Sequence, residues 1–286
     1  MTQSTPSAPV SNKVVPMTAA HLPQALALSQ AVKWPYRLED WQVAFELGNA
    51  YAVEQDGELV ATALWWPYEP DYASTGMIIV ADKAQRQGIG ALLMKAMLDD
   101  AAGRNIILNS TAEGEVLYTR NGFVPYDAVL QFQDVLAAAP ATDASVPLRA
   151  MTAADRDAVL AIDREGSGMG RSAMVDRLCA DGDVLVVDRD GAVSGYGIVR
   201  RWGRGVVVGP VIARDETDAK ALIGALAADH VGTFVRIDVT ESCGLGSWLE
   251  TLGLPQVGRV ITMARGQRPQ PGPAATLFAL SNQSLG

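Results

Sequence analysis

Two short signals recur in this chain of 286 residues at one shared spacing. The tetrapeptide Met-Thr-Ala-Ala begins at Met17 and again at Met151, and the turn dipeptide Asp-Gly begins at Asp56 and again at Asp190. Both recurrences are 134 residues apart, since 151 − 17 and 190 − 56 give the same number. Each Asp-Gly pair stands between apolar runs, which is the pattern of a β-hairpin with a tight turn. The chain is therefore predicted to contain two tandem copies of one fold.

The segments around the two copies have the composition of loops. The N-terminus is rich in Ser, Thr and Pro, the segment AAAPATDAS separates the copies, and a Pro-rich stretch follows the second copy. Leu277, Phe278 and Leu280 suggest that the end of this tail docks on the protein. The predicted divisions are a disordered segment over 1–12, a first domain over 13–136, a linker over 137–145, a second domain over 146–266 and a tail over 267–286.

The stretch from Ala73 to Gly103 has the pattern of a buried strand, a polar turn and a helix. The helix opens on Gly88-Ile89-Gly90, where glycine lets a ligand approach the main chain closely. The first N–H groups of a helix have no partner within it, and the helix dipole makes that end positive. The turn therefore predicts an anion site, most naturally for a phosphate or pyrophosphate, to which Arg86 adds a charge.

Composition excludes several classes of partner. A net charge of −9 argues against non-specific binding to nucleic acid or to an anionic membrane surface. With two cysteines, two histidines and no CxxC or HExxH spacing, we expect neither a disulfide framework nor a metal site. The N-terminus lacks the apolar run of a signal peptide, and no stretch has the length and apolar character of a membrane span. A cytoplasmic protein is expected.

Two common phosphate-binding motifs do not fit the glycine turn. A Walker A loop needs Gly-Lys-Ser/Thr, which follows neither glycine, and a Rossmann fingerprint needs a third glycine where Leu93 stands. The hexapeptide QRQGIG over 85–90 instead fits the pattern Q/R-x-x-G-x-G/A, and residues 117–123 fit LYxxxGF. In these two motifs, and in the order of strands between them, residues 13–135 resemble the GNAT superfamily of N-acetyltransferases.

The resemblance extends to a bacterial two-domain type of this superfamily (the YitH/HolE-like type), in which a degenerate domain follows a complete one. Trp34 near the first helix, the pair Asp40-Trp41 and the segment LNSTAEG over 108–114 are similar to it. The sequence departs from the family pattern at Asn109, where an Asp is usual, and at Asp82, where a Pro is usual.

The second domain lacks the glycine turn. Its segments GPV over 209–211 and RIDV over 236–239 look similar to the appended domain of the two-domain type. The residues that follow Ile212 are ARDETDA, which contain no glycine and whose acidic side chains would repel a phosphate. One working cofactor site is therefore predicted, not two.

The resemblance implies an α/β fold built of tandem GNAT-fold domains, each a twisted mixed β-sheet flanked by helices. It implies acetyl-CoA as co-substrate, with the pantetheine arm between two splayed strands and the pyrophosphate in the glycine turn. The cofactor-binding residues it implies are Ile78, Ile79, Val80, Gln85, Arg86, Gln87, Gly88, Ile89, Gly90, Ala91 and Asn109. The reaction it implies is direct attack of a primary amine of a small molecule on the thioester, while Tyr118 hydrogen-bonds the departing thiolate.

The loop before the key strand contains the candidates for the catalytic base, Glu69 and Asp71, since neither histidine is suitably placed. Seven aromatic residues fall in or beside segments that form the acceptor wall in this fold, and they predict a partly apolar or flat acceptor pocket. They are Trp34, Tyr36, Trp41, Trp65, Trp66, Tyr68 and Tyr72, of which Trp34, Trp65, Trp66 and Tyr68 are the acceptor-binding candidates. In the second domain, the basic hairpin over 200–204 would be able to bind an acceptor carboxylate if it faces the first domain.

The residues leave three functions open. The first is acetyl transfer to a small amine, which the glycine turn and Tyr118 together favour. The second is a non-catalytic acyl-CoA-binding sensor or regulatory tandem GNAT protein. The third is a structural tandem domain that binds no CoA. A homodimer is compatible with each of the three.

Overall fold

A computed structural model of the chain describes residues 12–286, within which it forms thirteen β-strands and eight α-helices. The disorder predicted over 1–12 falls, apart from Asn12, outside the described residues. The strands are β1 (Val14–Pro16), β2 (Asn49–Gln55), β3 (Glu58–Tyr68), β4 (Tyr72–Val80), β5 (Asn105–Ser110), β6 (Val124–Val135), β7 (Leu148–Ala150), β8 (Gly182–Arg189), β9 (Ala192–Trp202), β10 (Gly205–Ala213), β11 (Phe234–Thr240), β12 (Gln256–Arg265) and β13 (Thr276–Ala279). The helices are α1 (Leu22–Ala31), α2 (Leu38–Leu47), α3 (Ile89–Asp100), α4 (Glu115–Arg120), α5 (Arg156–Ser167), α6 (Ser172–Asp181), α7 (Glu216–Ala228) and α8 (Gly246–Thr251).

All thirteen strands belong to one mixed sheet, in the order β1-β2-β3-β4-β5-β12-β6-β11-β13-β10-β9-β8-β7. β5 of the first domain pairs with β12 of the second, and β11 of the second pairs with β6 of the first. β6 and β12 pair with each other at the centre. The α/β tandem fold is confirmed, but its two sheets are joined into one. Because the last strand of each domain, β6 or β12, pairs with the fifth strand of the other domain, neither β5 nor β11 is left as an open edge of the sheet.

Local geometry confirms the repeat. Asp56 and Asp190 have positive φ angles of 53° and 56°, as a type I′ hairpin turn requires. The fourth strand of each domain, β4 or β10, carries a β-bulge where it pairs with the third. In each domain the fourth and fifth strands run parallel and pair over only two or three residues before they diverge. Each domain is therefore built with a gap between these two strands.

The two faces of the sheet carry different cores. On one face, α1, α2, α5 and α6 pack into a single core that both domains share, through residues such as Trp41, Met174 and Tyr196. On the other face, α3 covers one core of the first domain, and α7 covers a separate core of the second. Ile107 of β5 points into the shared core, whereas Ile106 and Leu108 point towards α3. We call these the α1 face and the α3 face.

The tail fills the gap in the second domain. Ala279 of β13 lies opposite Val211 of β10 and Val239 of β11, so that β13 is a strand between the two. Phe278 and Leu280 are buried, and the predicted docking of the tail is confirmed. Among residues 12–286, no strand occupies the corresponding gap between β4 and β5.

Asp163 and Arg171 form an ion pair inside the shared core. Both side chains are at most 1% exposed, and the guanidinium donates to the two carboxylate oxygens at 2.7 and 3.1 Å. The Tyr196 hydroxyl donates to the same carboxylate at 2.6 Å. The pair therefore lies out of reach of water, where a single uncompensated charge is costly.

We expect Arg171→Met to lower the free energy of unfolding by about 3–5 kcal/mol, because it leaves the Asp163 carboxylate buried without its cation. Urea unfolding followed by circular dichroism measures the change. Arg177→Ala, which breaks partly exposed pairs with Asp181 and with Glu46, is the control and should cost less than about 2 kcal/mol, at up to about 1 kcal/mol for each exposed pair. Equal losses of unfolding free energy in the two variants would show that the buried pair contributes no more to stability than the exposed pairs do.

Candidate active site

The diverging strands β4 and β5 enclose a cleft of about 350 Å³. One wall is β4 from Thr75 to Val80, and the opposite wall includes Asn109 of β5. The remaining walls come from the turn before α3, from α4 with the segment before it, and from the C-terminal tail. Elements that are far apart in the sequence thus converge on one cavity, which is the candidate active site.

The bulge in β4 opens this cleft. Met77 has a positive φ of 50°, and its carbonyl accepts a hydrogen bond from the Thr62 hydroxyl at 2.9 Å. The pairing of β4 with β5 covers Tyr72 to Ser74 and stops before the bulge. Beyond it, Ile78 and Val80 line the cleft. A strand edge without a neighbour offers main-chain donors and acceptors to an extended ligand.

The glycine turn presents the N-terminus of α3 to the open end of the cleft. Gly88 is the N-cap of α3, with a φ of 78° that favours glycine, and no side chain among the described residues caps the helix. A Cβ atom built on Gly88 would meet nothing within 4 Å, so the surface there is open. Gln85 ties the turn to β4, since its amide donates to the Val80 carbonyl at 3.3 Å. The first N–H groups of a twelve-residue helix are therefore free to bind an anion.

Tyr118 of α4 is held in a fixed position in the cleft. A Cβ atom on Gly114 would come within 2.7 Å of its ring, so a residue with a side chain there would push the ring away. On the other side, the ring meets Phe123 edge-on, with 6.0 Å between centroids. Burial raises the pKa of the Tyr118 hydroxyl to about 12. The hydroxyl is therefore protonated at neutral pH and is available as a hydrogen-bond donor.

Glu113 brings a negative charge to the rim of the cleft. Hydrogen bonds from its own main chain and from the Thr111 side chain lower the pKa of its carboxyl. It is the one side chain with a formal charge among the described residues that line the cleft. A carboxylate at this place favours a cationic group over an anionic one near the cleft.

Seven of the residues singled out from the sequence line the cleft: Trp34, Ile78, Val80, Gln85, Gly90, Asn109 and Tyr118. Four more belong to the turn and the first residues of α3 beside it: Arg86, Gln87, Gly88 and Ala91. The side chains of Ile79 and Ile89 point away, because Ile79 is buried in the α1-face core and Ile89 under α3.

Trp65, Trp66 and Tyr68 do not reach the cleft. They lie on β3, which has β2 on one side and β4 on the other, so their side chains enter the cores above and below the sheet. The indole of Trp65 donates to Asp100 of α3 at 2.9 Å, and that of Trp66 to the Ala44 carbonyl at 2.8 Å. Tyr68 donates to the carbonyl of Leu285 in the tail. Of the predicted acceptor wall, the structure brings only Trp34 to the cleft.

Glu69 and Asp71 lie at the closed end of the gap, where the two strands still pair. The Asp71 carbonyl accepts from the Asn105 main-chain N–H at 2.7 Å, and the next residue pairs with Asn105 in the sheet. Glu69 exchanges main-chain hydrogen bonds with Gly170 of the second domain. The cleft opens only beyond Ser74, so neither Glu69 nor Asp71 lines it.

The basic hairpin of the second domain does face the first domain, but Arg200 is not part of the cleft. The main-chain N–H of Gly203 donates to Asp40 of α2 at 3.0 Å. Arg200 is buried in the contact and donates to the Ser281 carbonyl at 3.0 Å. Burial lowers the pKa of this guanidinium to about 10. The predicted binding of an acceptor carboxylate is not supported at this residue.

The tail contributes two cleft residues that sequence reasoning missed, Gln283 and Ser284. The Asn109 amide donates to the Gln283 carbonyl at 2.8 Å, and the Ser74 hydroxyl donates to the Ser284 carbonyl at 2.7 Å. The Ser284 hydroxyl meets the Tyr36 hydroxyl at 3.0 Å. The apolar residues of β13 predicted docking, but no signal in the sequence indicated which domain the following residues contact.

In the second domain, the corresponding gap is filled by a strand. That strand is β13, and the N-terminus of α7 is already capped, since the Asp215 side chain accepts from the Asp218 N–H. The side chain of Asp218 is 1% exposed and pairs with Arg189 at 2.6 Å. The acidic turn that the sequence predicted to repel phosphate thus caps its own helix.

Residues 12–286 contain no group of three or more His, Cys, Asp or Glu side chains positioned to hold a metal ion. In the same range, no helix is long and apolar enough to cross a membrane.

Comparison with known proteins finds the same domain twice. The family described as "Acetyltransferase (GNAT) domain" matches residues 46–125 and, through a second model, residues 159–279. The uncharacterized N-acetyltransferase YitH of Bacillus subtilis (strain 168) is 23% identical over 97% of this chain and 99% of its own.

Solved structures agree with this fold. A putative acetyltransferase from Pyrococcus horikoshii superimposes with a TM-score of 0.82 at 17% identity, covering 99% of both chains. A tandem GNAT protein from the clavulanic acid biosynthesis pathway gives a TM-score of 0.64 at 16% identity, covering 91% of this chain and 99% of that one. With one such domain in each half, the chain belongs to the GNAT superfamily of acyltransferases as a tandem, two-domain member.

Proposed function

We propose that this protein transfers the acetyl group of acetyl-CoA directly to the primary amine of a small molecule. The observation that carries the proposal is that one cleft joins the glycine turn at Gln85 and Gly90 to the Tyr118 hydroxyl. An anion-binding turn alone would also suit a sensor. A non-catalytic acyl-CoA sensor has no need of a half-buried, protonated tyrosine in the same cleft, so we favour the enzyme.

The residues present fit acetyl-CoA. The uncapped N-terminus of α3 and the open surface at Gly88 suit a pyrophosphate, which Arg86 would also attract. The unpaired edge of β4 at Ile78 and Val80 would pair with the amide groups of the pantetheine arm. When bound, acetyl-CoA supplies an activated acyl group, and an N–H near Val80 would polarise its carbonyl.

Tyr118 acts on the leaving group as a hydrogen-bond donor. Its pKa of about 12 compares with about 8.5 for a thiol, so full proton transfer would be uphill by roughly 5 kcal/mol. A hydrogen bond to the developing thiolate needs no such transfer and strengthens as negative charge builds up on sulfur.

The part of the cleft that Glu113 and Trp34 line favours a cation. Glu113 supplies the negative charge there, and Trp34 supplies an aromatic surface, so that an ammonium group is attracted to the rim before it loses its proton. Glu69 and Asp71 do not line the cleft, and we assign the base to neither. The acceptor amine is therefore expected to lose its proton through water at this rim.

Tyr118→Phe should lower kcat by about 10- to 150-fold, because a hydrogen bond to a charged group contributes about 1.5–3 kcal/mol. The KM for acetyl-CoA should be unchanged, since the bond forms only as the thiolate develops. Thiol release against a panel of amines measures both constants. Tyr51→Phe on β2, outside the cleft, is the matched control. An unaltered kcat in the Tyr118 variant would remove this residue from the mechanism.

Gly88→Glu should abolish CoA binding, because it places a carboxylate and a strained backbone at the anion site. Gly57→Glu is the matched control: Gly57 has a φ of 80°, similar to that of Gly88, and equally open space, but lies in the β2–β3 turn. Isothermal titration should give one site per chain for the wild type and the control. Two sites per chain, or unchanged binding in the Gly88 variant, would contradict the assignment.

A further inference from the structure

We infer that the acceptor's body binds in a second cavity, of about 220 Å³, that lies between the two domains on the α1 face of the sheet. We call it the inter-domain cavity. It adjoins the catalytic cleft at Asn109, which lines both spaces. The inference rests on the proposed function, since it names the class of amine that the cleft would acetylate.

The floor of the inter-domain cavity is a polar row across three strands. Thr262 of β12 lies opposite Asp127 of β6 on one side and opposite Asn109 of β5 on the other. Neighbouring strands are about 4.8 Å apart, so the row runs about 10 Å from the Asp127 Cα to the Asn109 Cα. The Thr262 hydroxyl donates to the Asn109 side-chain oxygen at 2.8 Å, and the Asn109 amide donates to the Gln283 carbonyl. The row thus leads from the far end of the cavity to the catalytic cleft.

The walls of the inter-domain cavity are mostly apolar. They include Ile107 and Val129 from the sheet, Met169 from the loop after α5, and Leu277 and Leu280 from the tail. An apolar cavity of about 150 Å³ is large enough to bind benzene. The inter-domain cavity is therefore suited to an apolar group of one or two rings.

Asp127 is the one side chain with a formal charge that lines this cavity within the described chain, and Gly286 at the end of the tail also lines it. Its carboxylate accepts a hydrogen bond from the Ser242 hydroxyl at 2.8 Å, and the main-chain N–H of Ala128 donates to its other oxygen at 2.7 Å. Lone pairs of the carboxylate remain for a ligand, and its charge rejects an anion. The geometry points to an amine with a ring-sized apolar body and a second cationic group at the opposite end.

The two substrates would enter from opposite faces. Exposed residues at the rim of the inter-domain cavity, Ser242, Pro271 and Thr276, open it to solvent beside the tail. The glycine turn, by contrast, leads into α3, which covers the other face. Acceptor and acetyl-CoA are therefore able to occupy the protein together, with the amine end of the acceptor at Asn109.

The test measures binding independently of turnover. Isothermal titration of the full chain, saturated with CoA, would use three one-ring probes: p-xylylenediamine, benzylamine and benzoate. We expect p-xylylenediamine to bind at least about tenfold more tightly than benzylamine, because only the diamine reaches Asp127 while its first amine lies at Asn109. Benzoate should not bind. Asp127→Asn should reduce the affinity for the diamine to that for benzylamine.

A pair of neighbouring alanines gives the matched control. Ala275 is buried and lines the cavity, whereas Ala274 is exposed and does not. Ala275→Leu should fill the cavity and weaken diamine binding by at least about tenfold, while Ala274→Leu should bind as the wild type does. Crystals of the wild type soaked in the diamine provide a measurement that does not depend on the folding of a variant, with density expected between Val129 and Leu277.

The outcomes separate this inference from the proposed function. Failure of both amines to bind the wild type, equal affinity in the two alanine variants, or density outside the cavity would each overturn the inference. If the diamine binds as expected but no amine is acetylated, the proposed function fails and the inter-domain site stands.

Discussion

The pairing of β6 with β12 at the centre of the sheet is the constraint on which the rest of the structure depends. Each of these strands also pairs with the fifth strand of the other domain, so the two domains are bonded through three consecutive main-chain ladders. Removing either strand would expose two edges of the sheet at once. The exchange also places α1, α2, α5 and α6 on one face, where they form a core common to both domains. The candidate active site borders this joint, since Asn109 of β5 lines it.

Both domains contain a bulged fourth strand and a gap beside it, but they satisfy the main-chain groups of the gap differently. In the second domain β13 fills the gap, and Asp215 caps the helix that follows. In the first domain, as far as residues 12–286 show, the gap lacks a strand and Gly88 leaves the helix uncapped, so the same groups are available to a ligand. Because buried main-chain groups must find partners, the same fold gives one domain whose gap is filled by its own tail and one whose gap stays open as a cleft.

Sequence reasoning succeeded where a signal is local. The Asp-Gly turns, the uncapped glycine turn and Tyr118 each depend on neighbours a few residues away, and the structure places Tyr118 and the turn in one cleft.

Sequence reasoning failed where the answer depends on the pairing of distant segments. The position of β12 between β5 and β6, and the contact of Gln283 with Asn109, join residues more than a hundred positions apart. The aromatic residues of β3 were predicted to line the acceptor pocket. The strands on both sides of β3 instead place their side chains in the cores, which is again a matter of distant pairing.

The tail joins the second domain to the cleft of the first. After filling the gap between β10 and β11, the chain continues directly into the first domain, where Gln283 and Ser284 form part of the candidate active site. The second domain thus fixes the position of two cleft residues, in addition to giving β12 to the sheet. The inter-domain cavity depends on the same arrangement, since its walls combine β5 and β6 of the first domain with β12 and the tail of the second. A chain cut between the domains would keep the glycine turn but lose Gln283, Ser284 and most walls of the inter-domain cavity, so under the proposed function cofactor binding and acceptor choice would be divided between the two halves.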